Sequence, residues 1–341
     1  MSNKTHVVFY GIWPEVKEYA RHKMKGISCH IHEENVGLDV LEPNTEILVP
    51  FIEAPVNKAI FDKLPKLKMV ATMSTGYDHI DIQIAKARHI PVCNVPTYGE
   101  NTVAEHTMAL LLGLTRKIFS SVKRVKEADF DYRGLIGMDI KGKTIGVVGT
   151  GHIGAHLIKM AKGFDMNVVA FDPYPNKDLA EKLGFKYVKF DKLLSDADII
   201  SLHVPLLPTT YHLINKKNIK KIKQGAYLIN TARGALIAPE ALVWALENNW
   251  ISGAGLDVLE DENYLQHEEK IVDRKRTNKE IKTNLMNNII IDHEKTIVTP
   301  HNAFNSTQAL QRIVDSTIEN IKSYLSGKTI NDVTAPKPVK K

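Results

Sequence analysis

The chain has 341 residues, 43% hydrophobic and 25% charged, a length and composition that fit about two globular domains. Its net charge of +6 comes from 45 basic and 39 acidic residues interleaved along the chain, with only the tail KPVKK locally basic, which argues against a nucleic-acid partner. Two cysteines, Cys29 and Cys93, make neither a disulfide framework nor a zinc site, and no apolar run is long enough for a bilayer. The start, MSNKTHVVFYG, has no signal-peptide pattern, so a reducing cytoplasm without a membrane partner is the expected setting.

In chain order, HVVFYG, EILVPF, KMVATM and PVCNVP read as short strands, with the helical stretches PEVKEYARHKMKG and NKAIFDKLP between them. Such alternation builds a parallel sheet covered by helices. A helical stretch from about Asn101 to Lys126 follows and leads into a second domain. The apolar face of its TVAEHTMALLLGL segment is broader than one intramolecular contact needs, which points to oligomerisation. From Thr144 the alternation restarts with TIGVVG, NVVAFD, DIISLHV, AYLINTA and SGAGLDV, so the second domain is also doubly wound. A charged insertion at about 263–295 interrupts the pattern before IVTPHNAF, and the helix STQALQRIVDSTIENIKSYLSG closes it. The insertion has helical spacing, which fits either a surface helix or lid near the site or a solvated segment without function.

The second domain opens with VVGTGHIG, a GxGxxG pattern that leaves a hydrophobic strand and enters the helix IGAHLIKMAKGF. Gly149 permits the tight turn, Gly151 lets backbone N–H groups approach a pyrophosphate, and Gly154 allows close helix–strand packing. Asp172 ends the next strand, 18 residues after Gly154, where a carboxylate can accept both ribose hydroxyls and repel a 2′-phosphate. Strand, three glycines and acid in register predict a dinucleotide site, with NAD preferred over NADP.

Polar residues gather after other predicted strands: Ser74-Thr75-Gly76, Asn230-Thr231-Ala232-Arg233-Gly234, Asp257 to Glu262, and Thr299-Pro300-His301-Asn302. Two doubly wound domains bring strand ends around a cleft. An arginine fork suits a carboxylate, and histidine exchanges protons near neutral pH. A carboxylate beside the histidine would hold one tautomer and stabilise imidazolium. Together with a nicotinamide, this set describes hydride transfer to a 2-oxo acid. No metal site is expected. His106, in the connector helix, reads as a packing or capping residue, Cys93 as a small core residue, and Trp13, Trp244 and Trp250 as packing.

GTGHIG, Asp172, HVPLLPTTYHLI, NTARG, GLDVLEDE and TPHNAF, in that order, resemble the D-isomer-specific 2-hydroxyacid dehydrogenase family. The likeness extends to STGYDHID and NVPTYGENTVAEHT, and is greatest to the D-lactate dehydrogenase branch. It implies an α/β fold of two doubly wound parallel-sheet domains with an active-site cleft between them. Residues 1–100 and 302–341 would form a flavodoxin-like substrate domain, and 101–301 a Rossmann NAD-binding domain. Arg233 would bind the substrate carboxylate, His301 would act as acid and base, and Glu262 would be its partner. The amides of Thr75 and Gly76 would share the substrate carboxylate. His152 and Ile153 would line the pyrophosphate, Val204, Pro205 and Thr210 the adenosine side, and Thr231, Ala232, Arg233 and Asp257 the nicotinamide. Phe304, Tyr98 and Phe51 would wall the substrate side chain.

The resemblance also implies a homodimer and reduction of a small 2-oxo acid, pyruvate first, to the D-2-hydroxy acid. Hydroxypyruvate, glyoxylate or a larger 2-oxo acid is the alternative substrate. An NAD-sensing binding protein of the corepressor kind is the reading from another class, and turnover would tell the two apart. Asn263 departs from the family pattern, in which proline is common, and the charged insertion beside it leaves substrate choice open.

Overall fold

The computed structural model describes residues 5–52, 55–262 and 277–335. The chain divides into two compact units, Met1–Tyr98 with Asn305–Lys341, and Gly99–Phe304. The part of the charged insertion at 263–276 lies outside the described residues. No described helix is long and apolar enough to cross a membrane.

The first unit contains β1 (Val7–Tyr10), α1 (Pro14–Lys23), β2 (Cys29–Ile31), β3 (Ile47–Pro50), α2 (Lys58–Lys63), β4 (Met69–Ala71), α3 (Ile82–Ala87) and β5 (Val92–Cys93), and it is completed by the chain's last helix. β1, β3 and β4 are buried along their whole lengths, as strands covered on both faces must be, which is why VVFY and ILVP are unbroken apolar runs. All pairings are parallel and the order is β2-β1-β3-β4-β5, the doubly wound order of flavodoxin. α1 starts on a proline at its first turn, and α2 is capped by Asn57, whose side chain accepts from the amides of Ala59 and Ile60.

The second unit begins with α4 (Glu100–Thr115) and α5 (Ile118–Lys126). It continues with β6 (Thr144–Val148), α6 (His152–Gly163), β7 (Asn167–Phe171), α7 (Lys177–Leu183), β8 (Lys186–Tyr187), α8 (Phe190–Asp196), β9 (Ile199–Leu202), β10 (Tyr227–Asn230), α9 (Pro239–Glu247), β11 (Gly253–Leu256), α10 (Asn278–Asp292) and β12 (Thr296–Val298). The last helix of the chain, α11 (Thr307–Leu325), is capped by Ser306 and packs on α1 in the first unit, where the Tyr19 hydroxyl donates to Asp315. The seven strands run parallel in the order β12-β11-β10-β9-β6-β7-β8. Strand order reverses between β6 and β9, and a doubly wound sheet binds ligands at such a point, beyond its carboxyl ends.

The expected single helix from Asn101 to Lys126 is two helices. Lys117 takes a left-handed conformation (φ 54°) between them. The Thr115 carbonyl, which would otherwise serve the next turn, accepts from the amide of Met138 at 2.7 Å, so the returning chain ends the helix. The apolar face read as oligomeric is also spent within the unit. Ala104, Met108, Leu110, Leu111 and Leu114 join Ile145, Val147, Leu157 and Ile229 in one core. A fully buried aliphatic side chain of this kind contributes about 1.5–3 kcal/mol.

Within the insertion, α10 is a packed helix, which answers the solvated alternative for that stretch. Thr277 and Glu280 form a reciprocal capping box at its start. Asn287 is fully buried and its amide donates to the Glu260 carbonyl at 2.7 Å, fastening the helix to the loop after β11.

Candidate active site

The GxGxxG loop leaves β6 at the point of strand reversal. Gly149 has φ 95°, and a Cβ there would lie 2.7 Å from the His203 carbonyl oxygen, at the end of β9. Gly154 packs on the Gly149 carbonyl, which a Cβ would approach to 2.1 Å. Gly151, the N-cap of α6, is different, because a Cβ there would meet nothing within 4 Å. No side chain caps this helix, so His152, Ile153 and Gly154 begin it with the open end of a helix dipole. Those features fit a dinucleotide pyrophosphate.

Asp172 follows β7, beside the loop. Its Oδ2 accepts from the Thr150 amide at 2.8 Å and its Oδ1 from the Tyr174 amide at 2.8 Å. Thr150 Oγ1 lies 2.7 Å from the Tyr187 hydroxyl, so the carboxylate is held in place while keeping lone-pair capacity for ribose hydroxyls. Val204 is buried. Thr210 closes its own loop, donating to the Pro205 carbonyl at 2.7 Å and accepting from the Leu207 amide at 2.7 Å.

Three further loops leave the same sheet edge, because Asn230 pairs with Leu256 and Leu256 with Val298. In the first, Thr231 is buried with its hydroxyl 2.9 Å from that of Thr107, and the Ala232 amide donates to Asn230 Oδ1. Arg233 donates to the Ala232 carbonyl at 2.7 Å. At Gly234 a Cβ would sit 2.0 Å from the Leu259 carbonyl carbon, so the arginine loop lies directly on the loop after β11. In that second loop, Glu262 Oε2 accepts from the Leu259 amide at 2.9 Å, while Oε1 lies 2.5 Å from His301 Nδ1. Each side chain of the pair keeps about a quarter of its surface exposed (26% for His301, 25% for Glu262). Holding Nδ1 at the carboxylate leaves Nε2 of His301 for chemistry.

Asp257, 1% exposed, holds the histidine loop from beneath. Its side chain accepts from Thr299 Oγ1 at 2.5 Å and from the amides of Asn302 and Ala303 at 3.0 and 2.8 Å. Its carbonyl takes the His301 amide at 2.8 Å, with His301 at φ 51°. His106 joins this network, with Nε2 3.0 Å from Thr299 Oγ1 and 3.4 Å from Asp257 Oδ1. The packing or capping role expected for His106 is therefore corrected to a polar one. The signal available in the sequence is the phase of α4, where Thr102 and His106, four residues apart, put two polar side chains on one face of an apolar helix. His203 was also passed over, although it stands directly after β9.

In the first unit, the Thr75-Gly76 loop is tied down by Thr75 Oγ1 donating to the Val95 carbonyl (2.6 Å) and Asn94 to the Thr75 carbonyl (2.8 Å). Among the described residues, the amides of Thr75 and Gly76 donate to none, which suits them to an anion. Tyr98 is half-buried with its carbonyl bound by Arg312, and Phe304, in the second unit, is half-buried after the histidine loop. Phe51 instead belongs to the core, 5% exposed and edge-on to Trp13 at 4.4 Å. Cys93 is buried, and burial together with nearby Asp332 pushes its thiol up to about 12.

Residues 108–303 match the family described as D-isomer specific 2-hydroxyacid dehydrogenase, NAD binding domain. The D-lactate dehydrogenase of Escherichia coli K12 is 36% identical over 286 residues, 83% of this chain and 84% of that one. The glyoxylate reductase of Thermococcus litoralis is 41% identical over 230 residues, 65% of this chain and 70% of that one. The crystal structure of D-lactate dehydrogenase from Aquifex aeolicus complexed with NAD and lactic acid superposes with a TM-score of 0.85 at 33% identity, covering 97% of this chain and 100% of that one. A likeness reaching this far beyond the nucleotide-binding half places the chain in the D-isomer specific 2-hydroxyacid dehydrogenase family, as an NAD-dependent enzyme.

Proposed function

We propose that this enzyme reduces pyruvate to D-lactate, and that Arg233, Glu262 and His301 are its catalytic residues. The observation that carries the mechanism is the 2.5 Å contact of His301 Nδ1 with Glu262, on the sheet edge that also bears Arg233 and the nucleotide loop. The chemistry a bound nicotinamide supplies is a hydride for the carbonyl carbon of the 2-oxo acid. Arg233 binds the substrate carboxylate and fixes the face that is presented. His301, protonated and held through Nδ1, gives the Nε2 proton to the carbonyl oxygen as it becomes a hydroxyl. Glu262 stabilises the imidazolium before transfer and keeps the ring in one tautomer afterwards. In the reverse direction His301 takes the hydroxyl proton.

Gly149, Gly151, His152, Ile153, Gly154 and Asp172 hold the pyrophosphate and ribose, Val204, Pro205 and Thr210 the adenosine side, and Thr231 and Ala232 the nicotinamide. Asp257 acts here by positioning the His301 loop. Pyruvate as substrate is supported by the relatives described as D-lactate dehydrogenases, one of them solved with lactic acid. A relative described as a glyoxylate reductase supports the alternative of glyoxylate or hydroxypyruvate. A cytoplasmic location is supported by the two free cysteines.

The test is NADH oxidation with pyruvate, hydroxypyruvate, glyoxylate, phenylpyruvate and 2-oxoisocaproate, each beside His301→Ala. Pyruvate should turn over fastest, and the variant should lose roughly 10²–10⁴-fold in kcat with NADH affinity retained. A larger substrate winning would keep the mechanism and reject pyruvate. NADH binding without turnover of any substrate would reject the catalytic reading in favour of an NAD sensor.

A further inference from the structure

On the first unit's sheet edge, three histidines converge on one carboxylate. His6 Nε2 lies 2.8 Å from Glu42 Oε2, His30 Nδ1 lies 2.9 Å from the same oxygen, and His32 Nε2 lies 2.7 Å from Oε1. The ligand atoms of His6, His30 and Glu42 all lie within 4.8 Å of one another. Among the described residues, Glu42 pairs with no lysine or arginine. Three imidazoles around one carboxylate make a nitrogen and oxygen donor set of the kind that holds a borderline metal ion.

The donors are held by backbone rather than left to drift. His30 lies on the edge strand β2, opposite Val8 of β1, two residues after His6; His32 follows the strand directly, its amide donating to the Phe9 carbonyl at 2.9 Å. The Glu42 amide donates to the Tyr10 hydroxyl at 2.9 Å, and its carbonyl accepts the Thr45 hydroxyl at 2.6 Å. The His32 ring stacks on Tyr10, with centroids 5.0 Å apart and planes 10° apart. The His6 amide donates to Glu46 Oε2 at 3.1 Å, and the rings of His6 and His30 meet edge-on at 4.7 Å.

We propose that His6 Nε2, His30 Nδ1 and Glu42 form a binding site for a divalent late first-row metal ion, with zinc as the reference ion. Three protein ligands leave one tetrahedral position for water, and His32 on the second carboxylate oxygen is the outer partner that orients Glu42. Zinc–ligand bonds of about 2.0–2.2 Å place tetrahedral ligands about 3.3 Å apart, so the present 2.8 and 2.9 Å contacts need open by only about half an ångström. A bound ion would clip the edge strand β2 and the Glu42 loop to the start of β1, stabilising this unit independently of turnover. The site uses none of the proposed dehydrogenase residues, and its test does not use activity.

Untagged full-length protein, stripped with a chelator, is titrated with zinc against a chromophoric competitor, beside His30→Asn and Glu42→Gln. His30 is largely exposed, at 58% of its side chain, so its replacement leaves the fold intact. The expected result is one equivalent lost from each variant, with affinity lower by at least about tenfold. X-ray absorption at the zinc edge should show nitrogen and oxygen neighbours with imidazole scattering, and zinc should raise the melting temperature of the parent alone. Zinc binding equal in parent and variants, no binding by the parent, or a sulfur neighbour would each overturn the assignment.

Discussion

His203 joins the two halves of the nucleotide-binding sheet where the chain packs against the glycine loop. Its amide donates to the Val148 carbonyl at 2.7 Å, its own carbonyl leaves no room for a Cβ on Gly149, and its Nε2 lies 2.7 Å from Ser201 Oγ. The residue is half-buried, and desolvation of its imidazole pushes the pKa down from 6.5 to about 4. The imidazole is therefore neutral at pH 7 in the native state. Between pH 6.5 and 4 the unfolded chain binds a proton there that the native state does not, so the stability is complete above 6.5 and falls as pH drops toward 4. The slope from this one group is at most about 1.4 kcal/mol per pH unit. Denaturant unfolding at pH 7 and pH 5 should show His203→Asn losing less stability on acidification than the parent protein. Equal losses in both would assign the acid sensitivity to carboxylates elsewhere.

The elements that hold the candidate site are loops leaning on one another, so their spacing is set by backbone contact as much as by side chains. Gly234 lies against Leu259 and Glu260, where a Cβ would approach backbone atoms to 2.0–2.3 Å. Since Glu262 is anchored on the Leu259 amide, a wedge at position 234 would displace Glu262 and Arg233 together. Gly234→Ala should destabilise by about 1–3 kcal/mol, as overpacking does, and lower kcat/KM at the same time. Thermal denaturation and steady-state kinetics check both; an unchanged melting temperature would mean that the loops part freely. The region after β11 is further braced by Glu260, which accepts from Tyr211 at 2.9 Å and lies 2.7 Å from His212, while Asn287 of α10 binds its carbonyl. Helix α10 thus belongs to the scaffold of the site.

At the scale of the molecule, seven of the exposed large hydrophobic residues among those described fall in one stretch after α4. Helix α5 buries none of its residues: Ile118, Phe119, Val122 and Val125 are exposed, as are Phe130, Tyr132 and Ile136 after it. Exposed apolar residues concentrated in one stretch of chain are what an interaction site needs. Residues 118–136 therefore leave more apolar surface for the expected homodimer contact than the 102–114 face does. The double variant Phe119→Glu/Val122→Glu should convert a dimer to a monomer, read as about a halving of mass by light scattering with the fold retained. A parent protein already monomeric at micromolar concentration, or a variant still dimeric, would contradict this.

Local pattern is enough to read the two doubly wound units, the NAD loop with its acid, and the motifs of the family. Unbroken apolar runs make buried parallel strands, glycines at fixed spacing make the phosphate turn, and Asp172 needs only to end the adjacent strand. The tertiary structure alone decided the rest, since those features depend on what chain returns from far away. The amide of Met138 ends α4, Asp257 supports the His301 loop from beneath, and His106 turns from an expected packing residue into a member of that network. In the same way His6, His30, His32 and Glu42 are scattered in sequence and meet only because parallel pairing sets β1 beside β2. Periodicity records which face a residue occupies; only the packed chain fixes which polar groups share one point in space.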